Sequence, residues 1–465
     1  KRLNVPPADL TVEKGVISHP ASGRSLRYGE VAGEAAGLAL DPSPKLKERK
    51  DYKYIGQPVR RFDIPAKVNG TARYGMDFTL PDMRVATVMM APVRGGKLQS
   101  VNDTPALAVA GVEKVIKLDE AVVVVAKGYW AALKGLRSLS PEFSDGGYGQ
   151  LSSESIYQAH ERLIAKGKYD KEHGDGDADA VLEKAGESAV SGDYQVPFLH
   201  QAMMEPFALS AHFKNGKLDL WGGLQDPLST KMLAAKAAGL DAENVTFHPM
   251  IMGGGFGRRF PDYCQIIEQV AKIAVQLPHP VKLIWSREEE VQHGAYRPQS
   301  SARLTGAVGA DGKISAWRND YAQFANAEAE CVFPYVIPAT ARRHYEYISN
   351  QVDAYWRSVN STQHGFYNES FMDELAHAAG ADPYEFRRKH LPAGSRYLKV
   401  LDAVAERAGW GGDLPEGVGR GIALVQSFNT IVAEVVEASV NEDGSANVHK
   451  VYAVVDCGTT VNPLN

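Results

Sequence analysis

The alternation of apolar and polar positions divides the chain into short strands with helices between them. The runs "VATVMMAPV", "VEKVIKL" and "AVVVVAKG" predict strands, and "YWAALKGLRSL" has the apolar spacing of a helix. Turn residues separate these runs. Over residues 51–145 the pattern therefore predicts a compact α+β unit in which strands are interleaved with one helix.

The larger region 191–465 is also predicted to contain both strands and helices. "NVTFHPMIM" predicts a strand that leads into a glycine-rich stretch, and the next helix is predicted to begin at Pro261 and Asp262, which favour a first helical turn. One stripe of that helix is apolar and consists of Ile266, Ile267, Val270, Ile273 and Ala274. Further helices are predicted in "PLSTKMLAAKAAGL", "GFYNESFMDELAHAAG", "DPYEFRRKHL" and "LKVLDAVAERAGW", and a hairpin is predicted to turn at Glu442–Ser445.

Two weaker segments complete the predicted domain organisation. Residues 1–50 end in the charged run "KLKERKD" and are interpreted as the tail of a preceding domain or a linker. Residues 146–190 are polar and rich in Gly and Asp, which indicates a connector with one helix. The sequence stops at "VDCGTTVNPLN", on a strand exit, so we expect region 191–465 to be incomplete at its C-terminus. The predicted fold is α+β and multi-domain.

Composition excludes several functional classes. With 44% hydrophobic and 23% charged residues, the 465-residue chain has the balance of an ordinary globular protein. A net charge of −5 argues against a general nucleic-acid-binding protein, whose surface is basic. No apolar run approaches the ~18 residues of a membrane span, and "KRLNVPPADL" lacks the apolar core of a signal peptide.

The cysteines do not form a metal-binding pattern. Cys264, Cys331 and Cys457 stand singly, without a Cys-x-x-Cys pair. A zinc ribbon, a disulfide scaffold or an iron–sulfur cluster held by this chain alone is therefore not expected. The cysteine count does not distinguish cytoplasm from periplasm.

The glycine-rich stretch "MGGGFGRRFPDY", from Met252 to Tyr263, is the most specific motif. A dinucleotide fingerprint would need its third glycine at position 258, which is Arg258, and a P-loop would need Gly-Lys followed by Ser or Thr, which is missing. Glycines without side chains can instead admit a bulky anionic ligand to the backbone N–H groups, and arginines favour phosphate. Alternatively, the glycines permit a tight strand-to-helix turn and both arginines reach solvent.

Five motifs in one order resemble the molybdopterin-binding large subunit of the xanthine oxidase family of molybdenum hydroxylases. They are "RFDIPAKVNGTARYGMDFTLPDM", "VPFLHQAMMEP", "GGGFGRR" with "IWSREEEVQHGAYRP" downstream, "WRSVNSTQHGFYNESFMDELA" with "DPYEFRRKHL", and "VVDCGTTVNP". The similarity is to the branch with isoquinoline 1-oxidoreductase beta subunits and bacterial membrane-associated aldehyde dehydrogenases. It implies a hammerhead-type domain over 51–145 and a molybdopterin-binding region over 191–465.

The resemblance also implies a set of site residues. The implied cofactor contacts are Gly254, Gly255, Phe256, Gly257, Arg258, Arg357, His200 and Gln201. The implied substrate pocket consists of Phe256, Trp356 and Phe198. Because a shift of one residue reverses facing in a strand, only one of His200 and Gln201 is expected to point inward.

Three further residues near these motifs have an interpretation in which they do not contact a ligand. Arg259 is interpreted as a surface residue, and Glu205 as a residue that stabilises a turn. For Arg357, the alternative to a cofactor contact is an ion pair with Glu369 or Asp373.

The implied reaction is oxidative hydroxylation of an aldehyde or an N-heteroaromatic compound, with water as the oxygen source. Molybdenum would be held by the dithiolene of a molybdopterin cofactor, in bacteria the cytosine dinucleotide form, and not by protein ligands. The family's general base is a glutamate in a Gly-x-Gly-Glu type motif, which this sequence lacks, so no catalytic residue is assigned.

Partners and location are expectations from the same resemblance. They are a small subunit with two-iron two-sulfur clusters, a cytochrome c subunit, the remaining C-terminal part of the large subunit, and no nucleic acid. The branch suggests the periplasm, with the cytoplasm as the alternative. The alternative function is a non-catalytic fragment or paralogue that acts as a binding module, and a sugar- or nucleotide-binding α/β protein ranks below both.

Overall fold

The computed structural model describes residues 2–39, 41–325 and 332–464, and its contacts form two units. The smaller unit comprises Lys1–Arg60 and Thr459–Asn465, and the larger comprises Arg61–Gly458. The smaller unit contains an antiparallel sheet of β1 (Thr11–Glu13), β2 (Val16–His19) and β3 (Arg24–Arg27), followed by helix α1 (Tyr28–Ala35). Cys331 lies outside the described residues.

The larger unit contains the remaining strands and helices. Its strands are β4 (Arg84–Met90), β5 (Leu98–Ser100), β6 (Val112–Leu118), β7 (Ala121–Ala126), β8 (Glu142–Phe143), β9 (Lys171–His173), β10 (Val190–Val196), β11 (Ala208–Lys214), β12 (Lys217–Gly222), β13 (Val245–Pro249), β14 (Val281–Ile284), β15 (Ser300–Val308), β16 (Ile314–Gln323), β17 (Ala339–Glu346), β18 (Gly419–Ser427), β19 (Thr430–Val440) and β20 (Ala446–Asp456). Its helices are α2 (Ile64–Val68), α3 (Thr104–Leu107), α4 (Tyr129–Arg137), α5 (Ser153–Lys166), α6 (Ala178–Ala185), α7 (Pro227–Ala238), α8 (Ile266–Ala274), α9 (Arg287–Gln292), α10 (Ser361–Ala378), α11 (Pro383–His390) and α12 (Arg396–Ala408). The predicted α+β class is confirmed.

A seven-stranded sheet joins two distant parts of the sequence. Its order is β13-β12-β11-β14-β4-β7-β6, and β4 runs parallel to β14, with Arg84 opposite Val281. The strands of the predicted hammerhead-type domain over 51–145 therefore continue into strands from the region after residue 191. All six residues of β7 are buried, as expected for a strand that is covered on both faces.

Helix α8 supplies much of the core beneath this sheet. Its predicted apolar stripe is buried, with Ile266, Ile267, Val270, Ile273 and Ala274 all fully inaccessible. The helix begins at Ile266 and not at Pro261, because Pro261–Tyr263 form a separate 3-10 turn. A glycine-rich loop therefore connects β13 to this turn, and not directly to a helix.

A second core surrounds a five-stranded sheet with the order β10-β15-β16-β17-β9. Helices α10 and α12 pack here together with the three-stranded sheet β18-β19-β20, around buried Trp317, Phe371 and Leu401. The predicted hairpin turn at Glu442–Ser445 is confirmed, because it connects β19 to β20. Among the residues that the structure describes, no helix is both long and apolar enough to cross a membrane.

Candidate functional site

The loop between β13 and α8 needs glycine at specific positions. Gly254 and Gly257 have φ angles of +104° and +101°, which L-residues with side chains rarely adopt. A Cβ at Gly257 would lie 2.2 Å from the carbonyl oxygen of Tyr355. The backbone of a second segment is therefore packed directly against the loop, and a side chain at 257 would separate them.

Glu205 anchors the start of this loop. Its Oε2 accepts a hydrogen bond from the Gly253 backbone N–H at 2.8 Å and its Oε1 accepts one from the Met76 N–H at 3.1 Å. The same carboxylate pairs with the guanidinium of Arg259, with Nη2 at 3.2 Å from Oε2. Glu205 thus holds the loop in place.

The structure corrects the interpretation of Arg259 as a surface residue. Arg259 is only 1% exposed, and its guanidinium donates to the carbonyl oxygens of Gly254, Gly223 and Glu205. Buried guanidinium groups need such acceptors, because unpaired buried charge is costly. Arg259 is an internal clamp across the loop.

Arg258 is also internal, which argues against its predicted contact with the cofactor. It is fully inaccessible, it lies over the ring of Phe207 at 4.6 Å, and its Nη1 donates to the Tyr263 carbonyl oxygen at 2.9 Å. A side chain with no accessible surface cannot contact a ligand in this conformation. The two arginines therefore stabilise the loop from inside.

Several backbone N–H groups of the loop are unpaired. Within the described ranges, the N–H groups of Gly254, Gly255, Phe256 and Gly257 have no acceptor. A Cβ built on Gly255 would meet nothing nearer than the Gln225 Oε1 at 4.0 Å. Successive backbone N–H groups without an intramolecular acceptor are typical of anion-binding nests.

Arg357 lies beside this loop. Its backbone N–H donates to the Phe256 carbonyl oxygen at 3.0 Å, and its guanidinium lies 5.5 Å from the centre of the Phe256 ring and 5.9 Å from that of Trp356. Phe256 is 44% exposed, so the loop presents an aromatic surface there. The Arg357 guanidinium is exposed and has no carboxylate partner among the described residues.

The alternative ion pair of Arg357 with Glu369 or Asp373 is wrong. Both carboxylates bind the buried Arg387 instead, Glu369 at 2.8 Å and Asp373 at 2.6 Å. Arg387 reaches them because α11 packs on α10. The Arg357 cation is therefore left at the surface of the site.

Residues with strained backbone conformations cluster around Arg357. Phe256, Ser358, Val359 and Phe428 all have positive φ angles, of 52°, 74°, 49° and 48°. Positive φ in a β-branched or bulky residue is unusual and costs energy, and such residues cluster at functional sites. Three separate segments therefore carry strained residues next to one another.

Two cavities with shared lining residues lie beside these segments. The loop cavity, of about 350 Å³, is lined by Gly257, Tyr355, Trp356, Arg357, Ser358, Val359 and Phe428. The wide cavity, of about 580 Å³, shares Trp356, Arg357, Ser358 and Phe428 with it and extends over β18 and β19 to Glu434. Their volumes are in the range of small-molecule sites.

His200 and Gln201 point in different directions. Gln201 is buried, and its amide nitrogen donates to the Tyr355 carbonyl oxygen at 2.9 Å, which ties it to the wall of the loop cavity. His200 faces Tyr296, with ring centres 6.0 Å apart. Burial, with help from Arg258, lowers the pKa of His200 to about 4, so its ring is neutral at pH 7. Which of the two side chains meets a cofactor stays a prediction.

The structure brings only some of the predicted pocket residues close to one another. Trp356 lines both cavities and Phe256 stands beside Arg357. Phe198 instead packs on Tyr296, with ring centres 5.8 Å apart, on the side of His200. The pocket function of these residues stays a prediction.

A third cavity was not predicted from the sequence. This aromatic cavity, of about 520 Å³, also lies against the segment 355–359, and Tyr355, Trp356 and Val359 line both it and the loop cavity. Its lining also includes Arg297 and Asp353. No local motif marks these residues, because segments far apart in the chain bring them together.

Comparisons with known proteins identify the family of this chain. A family model described as the molybdopterin cofactor-binding domain matches residues 158–391. The chain is 29% identical to isoquinoline 1-oxidoreductase subunit beta of Brevundimonas diminuta, over 100% of this chain and 67% of that protein. It is 26% identical, over 99% of this chain and 67% of that protein, to a membrane-bound aldehyde dehydrogenase of Gluconacetobacter polyoxogenes, whose name includes pyrroloquinoline quinone.

Solved structures show the same fold. Quinoline 2-oxidoreductase of Pseudomonas putida 86 superposes with a TM-score of 0.64 at 17% identity, over 85% of this chain and 62% of that chain. The chain thus spans about two thirds of the length of these relatives.

Proposed function

Because the chain belongs to the molybdopterin cofactor-binding family of the xanthine oxidase type, we propose that it is the cofactor-binding part of a molybdenum hydroxylase large subunit. Its substrate would be an aldehyde or an N-heteroaromatic compound, with water as the oxygen source. When bound, the cofactor supplies the two-electron oxidation, and the protein supplies binding and orientation. No residue of this chain is assigned as the general base.

The observation that carries this proposal is the set of unpaired loop N–H groups from Gly254 to Gly257, next to an exposed cation at Arg357. A phosphorylated pterin offers anionic oxygens to both. The indole Nε1 of Trp356 and the amide Oε1 of Gln201 are buried without partners among the described residues, and they suit the donor and acceptor edges of a pterin. The residues present therefore fit the group.

Within the described ranges, no group of His, Cys, Asp and Glu is suited to a metal ion. The Arg258 and Arg259 side chains hold the loop in the shape that exposes its N–H groups. Gln201, fixed on the Tyr355 carbonyl, is the better placed of the two polar candidates to meet the cofactor.

The finer assignments belong to the same proposal. The cofactor would be the cytosine dinucleotide form, and electrons would leave through a small iron–sulfur subunit and a cytochrome c subunit. The remaining C-terminal part of the large subunit would complete the site, and the complex would be periplasmic. What supports them is the branch of the family that the sequence resembles.

Metal and pterin analysis of the purified complex tests the function. We expect about one molybdenum per chain, a fluorescent pterin after oxidation, and release of CMP after hydrolysis. With a dye as acceptor, the complex should oxidise at least one of acetaldehyde, benzaldehyde, isoquinoline and nicotinate. A complex with all its subunits but without molybdenum would favour a non-catalytic binding module, and bound quinone without molybdenum would favour a quinone enzyme.

A further inference from the structure

A buried lysine lies in the middle of the seven-stranded sheet. Lys282 stands on β14, opposite Ser210 of β11 and Val85 of β4, and it is only 6% exposed. Its neighbours along the strand, Val281 and Leu283, are fully inaccessible. Lysine is almost never buried without a partner, because its amino group loses its hydration inside a protein. The amino group therefore needs a specific acceptor.

The acceptor is the backbone of a turn within residues 51–145. Lys282 Nζ donates to the Met76 carbonyl oxygen at 2.5 Å, and this hydrogen bond joins residues 206 positions apart in the sequence. Met76 is the middle residue of the 3-10 turn Gly75–Asp77. A Cβ at Gly75 would lie 3.0 Å from the Ala208 carbonyl oxygen, so the turn packs closely against the sheet. Lys282 thus fixes the turn at its centre.

Met76 is also connected to the glycine loop, through Glu205. The Met76 N–H donates to Glu205 Oε1 at 3.1 Å, and Glu205 Oε2 accepts from the Gly253 N–H at 2.8 Å. A Cβ at Gly253 would lie 2.3 Å from the Cβ of Glu205, so the loop and the carboxylate are in direct contact. A continuous series of contacts therefore runs from Lys282 in the sheet to the start of the loop.

The residues on either side of Met76 are attached near the same place. Tyr74 forms a parallel backbone bridge with Ile251, which lies just before the loop. Phe78 stacks on Trp221, with ring centres 4.8 Å apart. The segment around Met76 is therefore part of the support of the loop, although it is far from the loop in the sequence.

We infer that Lys282 is a positioning residue for the cofactor site, which acts through Met76 and Glu205 to hold the glycine loop in its shape. Removal of the amino group leaves the buried Met76 carbonyl without its donor and releases the turn. Glu205 then loses a fixed donor on Oε1, and its carboxylate holds the Gly253 N–H less firmly. The inference rests on the proposed function for the identity of the ligand, whereas the connection to the loop can be measured without a ligand.

Lys282→Met tests this connection, because methionine fills a similar volume without a donor. In hydrogen exchange of the purified complex, followed by mass spectrometry, we expect the amides of Met76 and Gly253 to exchange about ten-fold faster than in wild type. Release of the cofactor should become faster as well. Lys282→Arg retains a donor and should restore most of the protection, which a role in packing alone would not produce.

Thr87→Val is the matched control in the same sheet. Thr87 is also buried, lies on β4 and donates through its hydroxyl to the Ile284 carbonyl oxygen at 2.9 Å, a hydrogen bond that does not lead to the glycine loop. This variant should leave the exchange of both amides and the release of the cofactor within about two-fold of wild type, even where it lowers the overall stability.

A double variant tests whether Lys282 acts through Glu205. Glu205→Gln alone should accelerate exchange of the Gly253 amide, because the charged acceptor is lost. Addition of Lys282→Met should then have little further effect on that amide, since both substitutions act on the same contact. Independent, additive effects of the two substitutions would contradict the connection.

Unchanged exchange of the Gly253 amide in folded Lys282→Met would overturn the inference, and so would an equal acceleration in Thr87→Val. If Lys282→Met fails to fold, Lys282→Gln, whose shorter side chain does not reach Met76, takes its place and the same outcomes apply. Failure of the proposed function would be seen differently, as a complex without molybdenum in which Lys282→Met still accelerates exchange of the Gly253 amide.

Discussion

Gly257→Ala is the substitution for which the structure gives the sharpest expectation. The backbone at 257 has a φ angle of +101°, and a Cβ there would lie 2.2 Å from the Tyr355 oxygen and 2.7 Å from its carbonyl carbon. Both contacts are with backbone atoms, so no side-chain rotation can relieve them. The loop and the segment that carries Arg357 must therefore move apart.

The magnitude follows from the separate costs. An L-residue in a left-handed conformation costs about 1–2 kcal/mol. Separation of the segments also breaks the hydrogen bond from the Arg357 N–H to the Phe256 oxygen, worth about 1 kcal/mol. We expect the free energy of unfolding to fall by roughly 3 kcal/mol, which is large for a single methyl group.

Gly255→Ala is the matched control in the same loop. Gly255 lies outside the left-handed region, and its Cβ would meet only the Gln225 Oε1 at 4.0 Å. Its free energy of unfolding should change by less than about 0.5 kcal/mol. If the loop holds a cofactor, however, the added methyl lies where the ligand approaches, and Gly255→Ala should purify with less molybdenum although it is stable.

Urea unfolding of both variants at one pH, monitored by fluorescence and circular dichroism, decides the matter. The midpoint should fall for Gly257→Ala with an unchanged dependence on urea, and should stay in place for Gly255→Ala. Equal midpoints for Gly257→Ala and wild type would refute the packing of the two segments described here.

Three further changes test other parts of the account. Glu205→Ala leaves the buried Arg259 without its carboxylate and should cost about 3–5 kcal/mol in urea unfolding, with Glu205→Gln less severe. Burial lowers the pKa of His160 to about 4, below its unfolded value, so its contribution to stability is lost as the pH falls from about 6.5 to 4. His160→Gln should therefore reduce the loss of unfolding free energy over this pH range by on the order of 3 kcal/mol. An unchanged pH dependence in this variant would contradict the burial of His160. Arg357→Ala, at an exposed site, should leave the unfolding midpoint within experimental error but reduce molybdenum content several-fold, and full retention would remove Arg357 from the site.

The pattern of apolar and turn residues predicted those helices and turns that are determined by residues close together in the sequence. The apolar stripe of α8 and the hairpin at Glu442–Ser445 follow from periodicity and turn residues, and both occur. The run of glycines itself indicated the loop, in which Gly254 and Gly257 have positive φ angles. The family motifs then indicated Arg357, and the structure places it beside Phe256.

The features that the sequence did not reveal depend on distant segments. A charged side chain in a sequence suggests solvent, but Arg258 is buried because the Phe207 ring lies beneath it, and Arg259 because Glu205 provides a buried carboxylate. Similarly, β4 continues the sheet at β14, almost two hundred positions later, which no local pattern encodes. Asp353 and Arg297 line one cavity for the same reason.

Anomalous scattering from crystals of the complete complex would show where molybdenum binds relative to the glycine-rich loop. We expect a single peak in the cavities bounded by Gly257, Trp356 and Phe428, with pterin oxygens or phosphates within hydrogen-bond distance of the loop N–H groups. A peak elsewhere on the chain, or a pterin that does not contact the glycine loop, would contradict it.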